Sequence, residues 1–196
     1  MTILLVDNAH TQEHAAFYPL LRDALASLSG QRVLEARTAA EVSSVDPRHV
    51  TGVVLSGGPA LLTRRLCVDT YAANLAALVL FGDRPVLGVC FGMQVMVKVF
   101  GGALRRLGRR RSGERELRLV PGTRSALLRG LPRRACFASA FVDATSEVPP
   151  GFRVVAETAD GLPAAIERGH LFAIQYHPEA SGEHGRRVLT NFTALL

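Results

Sequence analysis

The 196-residue sequence has no tryptophan, only one lysine among its 23 basic residues, and only three cysteines. Cys67, Cys90 and Cys136 are odd in number and widely spaced, which predicts neither a disulfide framework nor a zinc site. Each is therefore predicted to be a free thiol.

Long apolar runs are also missing. The longest covers residues 75–81, far short of the roughly 18 to 20 residues that a membrane span needs. The N-terminal segment 1–7 has no basic leader and reaches an aspartate after four apolar residues, unlike a signal peptide. We therefore expect a cytoplasmic protein without a membrane segment. With 48% hydrophobic and 20% charged residues, the composition excludes a disordered chain and predicts a single domain over residues 1–196.

The formal charge of +6 is concentrated in one place. Residues 105–118 contain seven arginines and two glutamates, so this segment alone carries +5. Nucleic-acid binding is one interpretation of clustered arginines, but the segment has no aromatic residue that could stack on a base. The near absence of lysine also indicates a general preference for arginine in this chain. We predict a solvated loop or a partner-facing surface, and nucleic acid is disfavoured as a partner.

The apolar pattern predicts an open, doubly wound, mostly parallel α/β sheet of the flavodoxin-like type, with helices on both faces. Three apolar runs without alternation, at 3–6, 52–56 and 86–90, indicate strands buried on both faces. Helices are predicted at 14–28 and 67–81. After residue 102 the segments are shorter and alternate, which indicates a mixed or antiparallel extension of the sheet and a final helix. The predicted strands of this extension cover 116–120, 135–140, 153–157, 164–167 and 171–176, and the final helix covers 183–196.

A cysteine follows one of the buried strands, in Gly-Val-Cys-Phe-Gly-Met-Gln at 88–94. A strand that turns sharply into a helix at Cys90 is typical of a nucleophile elbow, with cysteine in the place of serine. The positive end of the helix dipole favours a thiolate there. The structural alternative is a buried cysteine at a strand end, which is how we interpret Cys67 and Cys136.

Two further motifs stand at predicted strand ends. Ser-Gly-Gly-Pro at 56–59 could present backbone N–H groups to an oxyanion, and it lacks the Lys-Ser/Thr ending of a phosphate-binding loop. In Gln-Tyr-His-Pro-Glu at 175–179, Glu179 could orient the ring of His177 towards a thiol. An open α/β sheet gathers such strand ends along one edge.

These three motifs, in this order and spacing, resemble those of class I (triad-type) glutamine amidotransferase domains, and the resemblance covers essentially the whole chain. It implies that Cys90 is the nucleophile, His177 the base and then the acid, and Glu179 the residue that orients His177. It also implies an oxyanion hole and contacts with the substrate glutamine. The oxyanion hole would use Gly58 and Phe91, and the substrate contacts Gly57, Gln94, Ala140 and Phe141.

The same resemblance implies hydrolysis of glutamine through a Cys90 thioester, without a metal or organic cofactor, and delivery of the ammonia to a separate synthase subunit. Segments 148–154 and 163–167 resemble the amidotransferase part of GMP synthase, which we slightly prefer. The start and the tail resemble the small subunits of anthranilate and aminodeoxychorismate synthases equally well. The sequence departs from both groups, because Phe141 or Ala138 replaces an expected histidine and Met93 replaces another.

Two other functions stay open at this point. The altered segment around Phe141 is compatible with a stand-alone γ-glutamyl hydrolase or peptidase on the same scaffold. A non-catalytic regulatory protein that docks through residues 105–118 is the other alternative, although retention of all three triad residues argues against it.

Overall fold

In a computed structural model of the chain, residues 1–9, 16–64 and 68–196 are described, and they build a nine-stranded sheet with helices on both faces. The strands are β1 (Thr2–Val6), β2 (Arg32–Ala36), β3 (Val50–Leu55), β4 (Val86–Val89), β5 (Ala103–Leu119), β6 (Arg134–Glu147), β7 (Arg153–Thr158), β8 (Pro163–Arg168) and β9 (Leu171–Ile174). The α-helices are α1 (Phe17–Ser29), α2 (Ala39–Ser43), α3 (Ala72–Phe81), α4 (Phe91–Val99) and α5 (Gly182–Thr193). Short 3₁₀ turns cover Pro47–His49, Val68–Tyr71 and Pro178–Ala180.

The strand order is β2-β1-β3-β4-β9-β8-β7-β5-β6. The first five strands pair in parallel, and their order is that of a flavodoxin-like sheet. From β9 onwards every pairing is antiparallel. The predicted fold class, a doubly wound parallel sheet with an antiparallel extension, is therefore confirmed. The carboxyl ends of β3, β4 and β9, where the three motifs stand, meet at one edge.

Two apolar cores lie on opposite faces of the sheet, and the side chains of β1 alternate between them. Ile3 and Leu5 belong to the core that contains residues of α1 and α5, whereas Leu4 and Val6 belong to the core beneath α2, α3 and α4. All four are fully buried. This two-sided burial explains why β1 is a continuous apolar run rather than an alternating one.

The prediction of a loop for the basic segment was wrong. Residues 105–118 lie within the 17-residue strand β5, which pairs with β7 only through Leu117–Leu119. The rest of β5, residues 103–116, pairs with residues 136–147 of β6, and we call this two-stranded structure the β5–β6 ribbon. Residues 107–110 form a bulge between the paired positions Arg106 and Arg111. Most of the arginine side chains are exposed, but cross-strand pairing orders their backbone.

Two elements escaped prediction because their sequences are short and polar. Strand β2 contains Arg32 and Glu35 and lies at the edge of the sheet, so it needs no apolar run. Helix α2 has five residues and is stabilised by a capping box, in which Thr38 accepts from the N–H of Glu41 and Glu41 accepts from that of Thr38.

The predicted helices are present with shifted boundaries. Helix α1 begins at Phe17, and residues 14 and 15 of the predicted helix lie outside the described residues. The helix predicted from residue 67 is a 3₁₀ turn followed by α3, and Cys67 is also outside the described part. No helix in the described ranges has the length and apolar composition that crossing a membrane requires.

Candidate active site

Cys90 occupies the sharp turn between β4 and α4. With φ of 51° and ψ of −102°, it is the one non-glycine residue of positive φ among those the structure describes. Such a conformation costs on the order of 1–3 kcal/mol and persists only where the surroundings impose it. Here the N–H of Cys90 donates to the carbonyl of Ile174, 2.7 Å away, which ties the turn to the end of β9. The elbow predicted from the sequence is thus found in the backbone.

Gly92 allows the first turn of α4 to approach strand β3. A Cβ atom at this position would lie 2.2 Å from the carbonyl oxygen of Leu55. The N–H of Gly92 donates to the carbonyl of Ser56 at 3.2 Å. Gly92, two residues after Cys90, is therefore required by the backbone packing between α4 and β3. The motif alone did not reveal this requirement.

His177 lies just after β9 with its ring oriented by Glu179. Nδ1 of His177 is 2.7 Å from Oε1 of Glu179, and both side chains are at most 2% exposed. The backbone N–H of His177 donates to the carbonyl of Ala138 in β6, and the ring of Phe17 stacks on the imidazole with centroids 4.1 Å apart. With Nδ1 held by Glu179, Nε2 is left for a thiol. Among the described residues, neither Nε2 of His177 nor Oε2 of Glu179 has a hydrogen-bond partner, and both atoms are buried.

The electrostatics of this pair favour a protonated imidazole. Burial is the largest single influence and acts to lower the pKa of His177. The electrostatic influence of Cys90, together with the hydrogen bond to Glu179 and the charge of Glu179, outweighs burial and raises the pKa of His177 to about 10. A proton on His177 beside a negative Cys90 is the arrangement that a thiolate nucleophile needs.

The glycine turn after β3 lies against both Cys90 and His177. A Cβ atom on Gly57 would be 2.8 Å from Cε1 of His177 and 3.5 Å from Cβ of Cys90. Gly58 packs against the backbone of Asn8. Phe91 is the first residue of α4, where a backbone N–H has no partner within the helix. The structure therefore brings the predicted oxyanion-hole residues to the edge where Cys90 lies, and their role stays a prediction.

Gln94 and Gln175 form a buried polar connection to the thiol. Nε2 of Gln94 donates to the carbonyl of Asp143 at 2.8 Å and lies 3.5 Å from Oε1 of Gln175. Nε2 of Gln175 in turn lies 3.7 Å from Sγ of Cys90. All four residues are at most 4% exposed. Gln94 is thus close to the nucleophile, and its predicted contact with glutamine remains an expectation.

Ala140 and Phe141 lie on β6, between the position that pairs with His177 and the one that accepts from Gln94. Ala138 forms an isolated bridge with His177, and Asp143 accepts from Gln94. Phe141 is 7% exposed and belongs to the same core as Cys90. Both residues lie on the strand between these two contacts, and their contacts with a substrate stay a prediction.

The sequence analysis assigned no role to four residues in or next to the site, which are Phe17, Thr63, Arg106 and Asp143. Asp143 accepts from Thr63 and Arg106, and Phe17 covers the ring of His177. The sequence did offer a signal for Asp143, because residues 140–143 fall where the amidotransferase part of GMP synthases carries Ser-His-Gly-Asp, whereas Arg106 was counted only as part of the basic run.

The sequence interpretation of Cys136 as a buried cysteine was wrong, because its position in β6 leaves the side chain exposed. Cys136 is exposed and has a free thiol, whereas Cys90 is buried at 4% exposure. Within residues 1–9, 16–64 and 68–196, no three His, Cys, Asp or Glu side chains are grouped as metal ligands would be.

Comparison with known proteins gives a consistent result. The family model of class I glutamine amidotransferases matches residues 14–195. A glutamine-hydrolysing GMP synthase of Thermobifida fusca is 35% identical over 178 residues, which cover 85% of this chain and 32% of that protein. A GMP synthase of Thermomicrobium roseum is 34% identical over 175 residues, with the same coverage. The chain spans about a third of the length of these relatives.

Solved structures show the same fold. A candidate GMP synthase subunit of Thermoplasma acidophilum aligns with a TM-score of 0.78 and 22% identity, covering 100% of this chain and 93% of that one. A glutamine amidotransferase of Thermotoga maritima aligns with a TM-score of 0.73 and 17% identity, covering 95% and 80%. With the family match over nearly its whole length, the chain belongs to the class I glutamine amidotransferases.

Proposed function

We propose that this chain hydrolyses the side-chain amide of glutamine with Cys90 as nucleophile, His177 as proton donor and acceptor, and Glu179 as the group that orients His177. The observation that carries the proposal is the strained, buried Cys90 beside an imidazole whose Nδ1 is held by Glu179 and whose pKa is raised to about 10. A thiolate with a protonated histidine is a nucleophile and its general acid in one unit.

The reaction begins when the Cys90 thiolate attacks the amide carbon and the carbonyl oxygen becomes negative. The N–H groups of Gly58 and Phe91 would stabilise this oxyanion, since Phe91 follows Cys90 at the elbow and Gly58 follows Gly57, which lies beside Cys90. His177 gives its proton to the leaving nitrogen, so ammonia departs and a γ-glutamyl thioester remains. Neutral His177 then takes a proton from water, whose oxygen attacks the thioester. Glutamate leaves, and the thiolate and protonated His177 are restored.

The ammonia would pass to a synthase of the GMP synthase type. The curated relatives that support this proposal are whole GMP synthases, and about a third of their length corresponds to this chain. We propose that a separate synthase subunit supplies the acceptor chemistry. The location in the cytoplasm stays a prediction from the sequence.

The proposal is tested by glutamate release from glutamine by the wild type, Cys90→Ala and Cys136→Ala. Cys136→Ala is the matched control, because it removes an exposed free thiol outside the site. We expect activity in the wild type and the control, and a loss of about three orders of magnitude or more in Cys90→Ala. Equal release by all three proteins would refute the proposal. Cleavage of γ-glutamyl peptides in preference to glutamine would favour the hydrolase alternative.

A further inference from the structure

Asp143 is a fully buried carboxylate that holds together three segments of the chain. Oδ2 accepts from the N–H of Thr63 at 3.0 Å, and Oδ1 accepts from the hydroxyl of Thr63 at 2.7 Å and from Nε of Arg106 at 3.1 Å. Nη2 of Arg106 also donates to the Thr63 hydroxyl at 2.8 Å. A buried charge is costly without such partners, and this closed triangle of Asp143, Thr63 and Arg106 provides them.

One end of this cluster reaches the nucleophile. The backbone carbonyl of Asp143 accepts from Gln94, which lies beside Gln175, and the amide of Gln175 lies against the sulfur of Cys90. The carboxylate and the carbonyl belong to the same residue, so the side-chain cluster fixes the position of the group that holds Gln94.

The second end reaches the glycine turn, since Thr63 follows Gly58 by five residues. Both bonds from Thr63 go to Asp143, 80 positions further along the chain. The segment that begins with the predicted oxyanion donor is therefore anchored to β6 by this carboxylate. The third end is Arg106, whose side chain is 35% exposed on the β5–β6 ribbon.

We propose that Asp143 is a positioning residue of this site. Through Thr63 it fixes the glycine turn, and through its own carbonyl it fixes Gln94 and hence the pocket beside Cys90, with Arg106 as its counter-ion. This inference rests on the function proposed above and gives a positioning role to a residue outside the proposed triad. Asp143 touches neither the sulfur nor the imidazole, so its loss should affect glutamine recognition and not the intrinsic reactivity of the thiol.

The test measures the labelling of Cys90 by two electrophiles in the wild type, Asp143→Asn, Thr63→Val and Arg106→Gln. The first is a chloroketone analogue of glutamine, which needs the pocket, and the second is iodoacetamide, which needs only a reactive thiol. Arg109→Gln is the matched control, because it removes the same charge from the ribbon at an exposed position. Thr63→Ser keeps the hydroxyl and should behave as the wild type.

We expect labelling by the glutamine analogue to fall about 10- to 100-fold in Asp143→Asn and Thr63→Val, and less in Arg106→Gln. The rate of labelling by iodoacetamide should stay within about twofold of the wild-type rate. The value of kcat/KM for glutamine should fall in parallel with labelling by the glutamine analogue. Unchanged analogue labelling in both Asp143→Asn and Thr63→Val would overturn the proposal. A parallel loss with both probes, or a loss that follows a lowered unfolding temperature, would show a structural role and overturn it as well. If the wild type reacts with iodoacetamide but not with the analogue, the proposed function itself fails.

Discussion

Single atoms decide the geometry around Cys90, and Gly57 is the clearest case. It lies beside both Cys90 and His177, and its backbone does not need a positive φ, so alanine would be accepted by the main chain. Only the added Cβ would be in conflict, because it would lie 2.8 Å from Cε1 of His177. A substitution at Gly57 therefore tests the geometry of the active site without straining the backbone.

Gly57→Ala should displace the ring of His177 and lower kcat/KM for glutamine by about 100-fold, while the unfolding temperature changes little. Gly108→Ala is the matched control, since a Cβ there meets no atom within 4 Å and its φ is not positive. We would measure kcat/KM by steady-state kinetics and the unfolding temperature by thermal unfolding for both variants. Normal activity in Gly57→Ala would mean that the ring does not occupy this position during turnover.

The proton on His177 gives a second prediction at this scale. The pKa of His177 in the folded chain is about 10, above the value of 6.5 for an unperturbed histidine. The proton therefore stabilises the fold in full below about pH 6.5, and this contribution is lost as the pH rises towards 10. Cys90 is a main cause of the rise, so Cys90→Ala should lower the pKa of His177.

NMR titration of the imidazole, assigned by comparison with His177→Gln, measures this directly. We expect the ring to remain protonated at pH 8 in the wild type and to titrate at lower pH in Cys90→Ala. The same titration midpoint in both proteins would contradict the coupling between the thiol and the ring.

Residues joined by local motifs were predictable from the sequence, and residues joined by the fold were not. Glu179 is two positions from His177, so their contact could be inferred from spacing, and the class I family was recognised from such motifs. Asp143 lies 80 positions from Thr63 and 37 from Arg106. Only the pairing of β5 with β6 and the path of the chain after β3 bring these three together, and no local pattern encodes that.

At the scale of elements, the β5–β6 ribbon is the largest departure from prediction. Clustered arginines suit a solvent-exposed segment, and glycine is depleted in strands, so the sequence of 105–118 favoured a loop. Cross-strand pairing with the alternating segment of β6 overrides this preference. As a consequence, the exposed arginines project from an ordered surface that is joined to the site through Arg106 and Asp143.

If the proposed synthase subunit docks on this ordered basic surface, we predict a salt-sensitive complex with an acidic surface of that subunit. Arg109→Glu should weaken retention of the synthase by the tagged chain at least about tenfold, because it places a negative charge in the ribbon. Arg32→Glu is the control, since Arg32 is also exposed but lies on β2 at the opposite edge of the sheet. The measurement is the amount of synthase retained at low and high salt. Equal retention by both variants would exclude docking through the ribbon.

At the scale of the whole molecule, the carboxyl edge of the parallel strands is covered from two sides. Strand β6 borders it through Ala138 and Asp143, and the start of α1 covers it through Phe17. The cavity beside His177 has a volume of only about 10 Å³, room for about one water molecule. It is lined by Phe17, Tyr18, Leu21, Ser56, Gly57, Gly58, His177 and Glu179. Because Cys90 is 4% exposed and this cavity is smaller than glutamine, we expect the cover to move when glutamine binds.

Phe17 is the part of the cover that a substitution can remove without disturbing the sheet, because its half-buried ring packs on His177 at the first turn of α1. Phe17→Ala should increase the rate of Cys90 alkylation by iodoacetamide severalfold. The shortened side chain exposes the thiol, and weaker burial of His177 removes an influence that lowers its pKa, which favours the reactive thiolate. Leu20→Ala is the matched control, since Leu20 is 49% exposed on the same helix. Mass spectrometry of Cys90 labelling over time measures both rates, and equal rates in the two variants would show that access is controlled elsewhere, with β6 as the remaining cover.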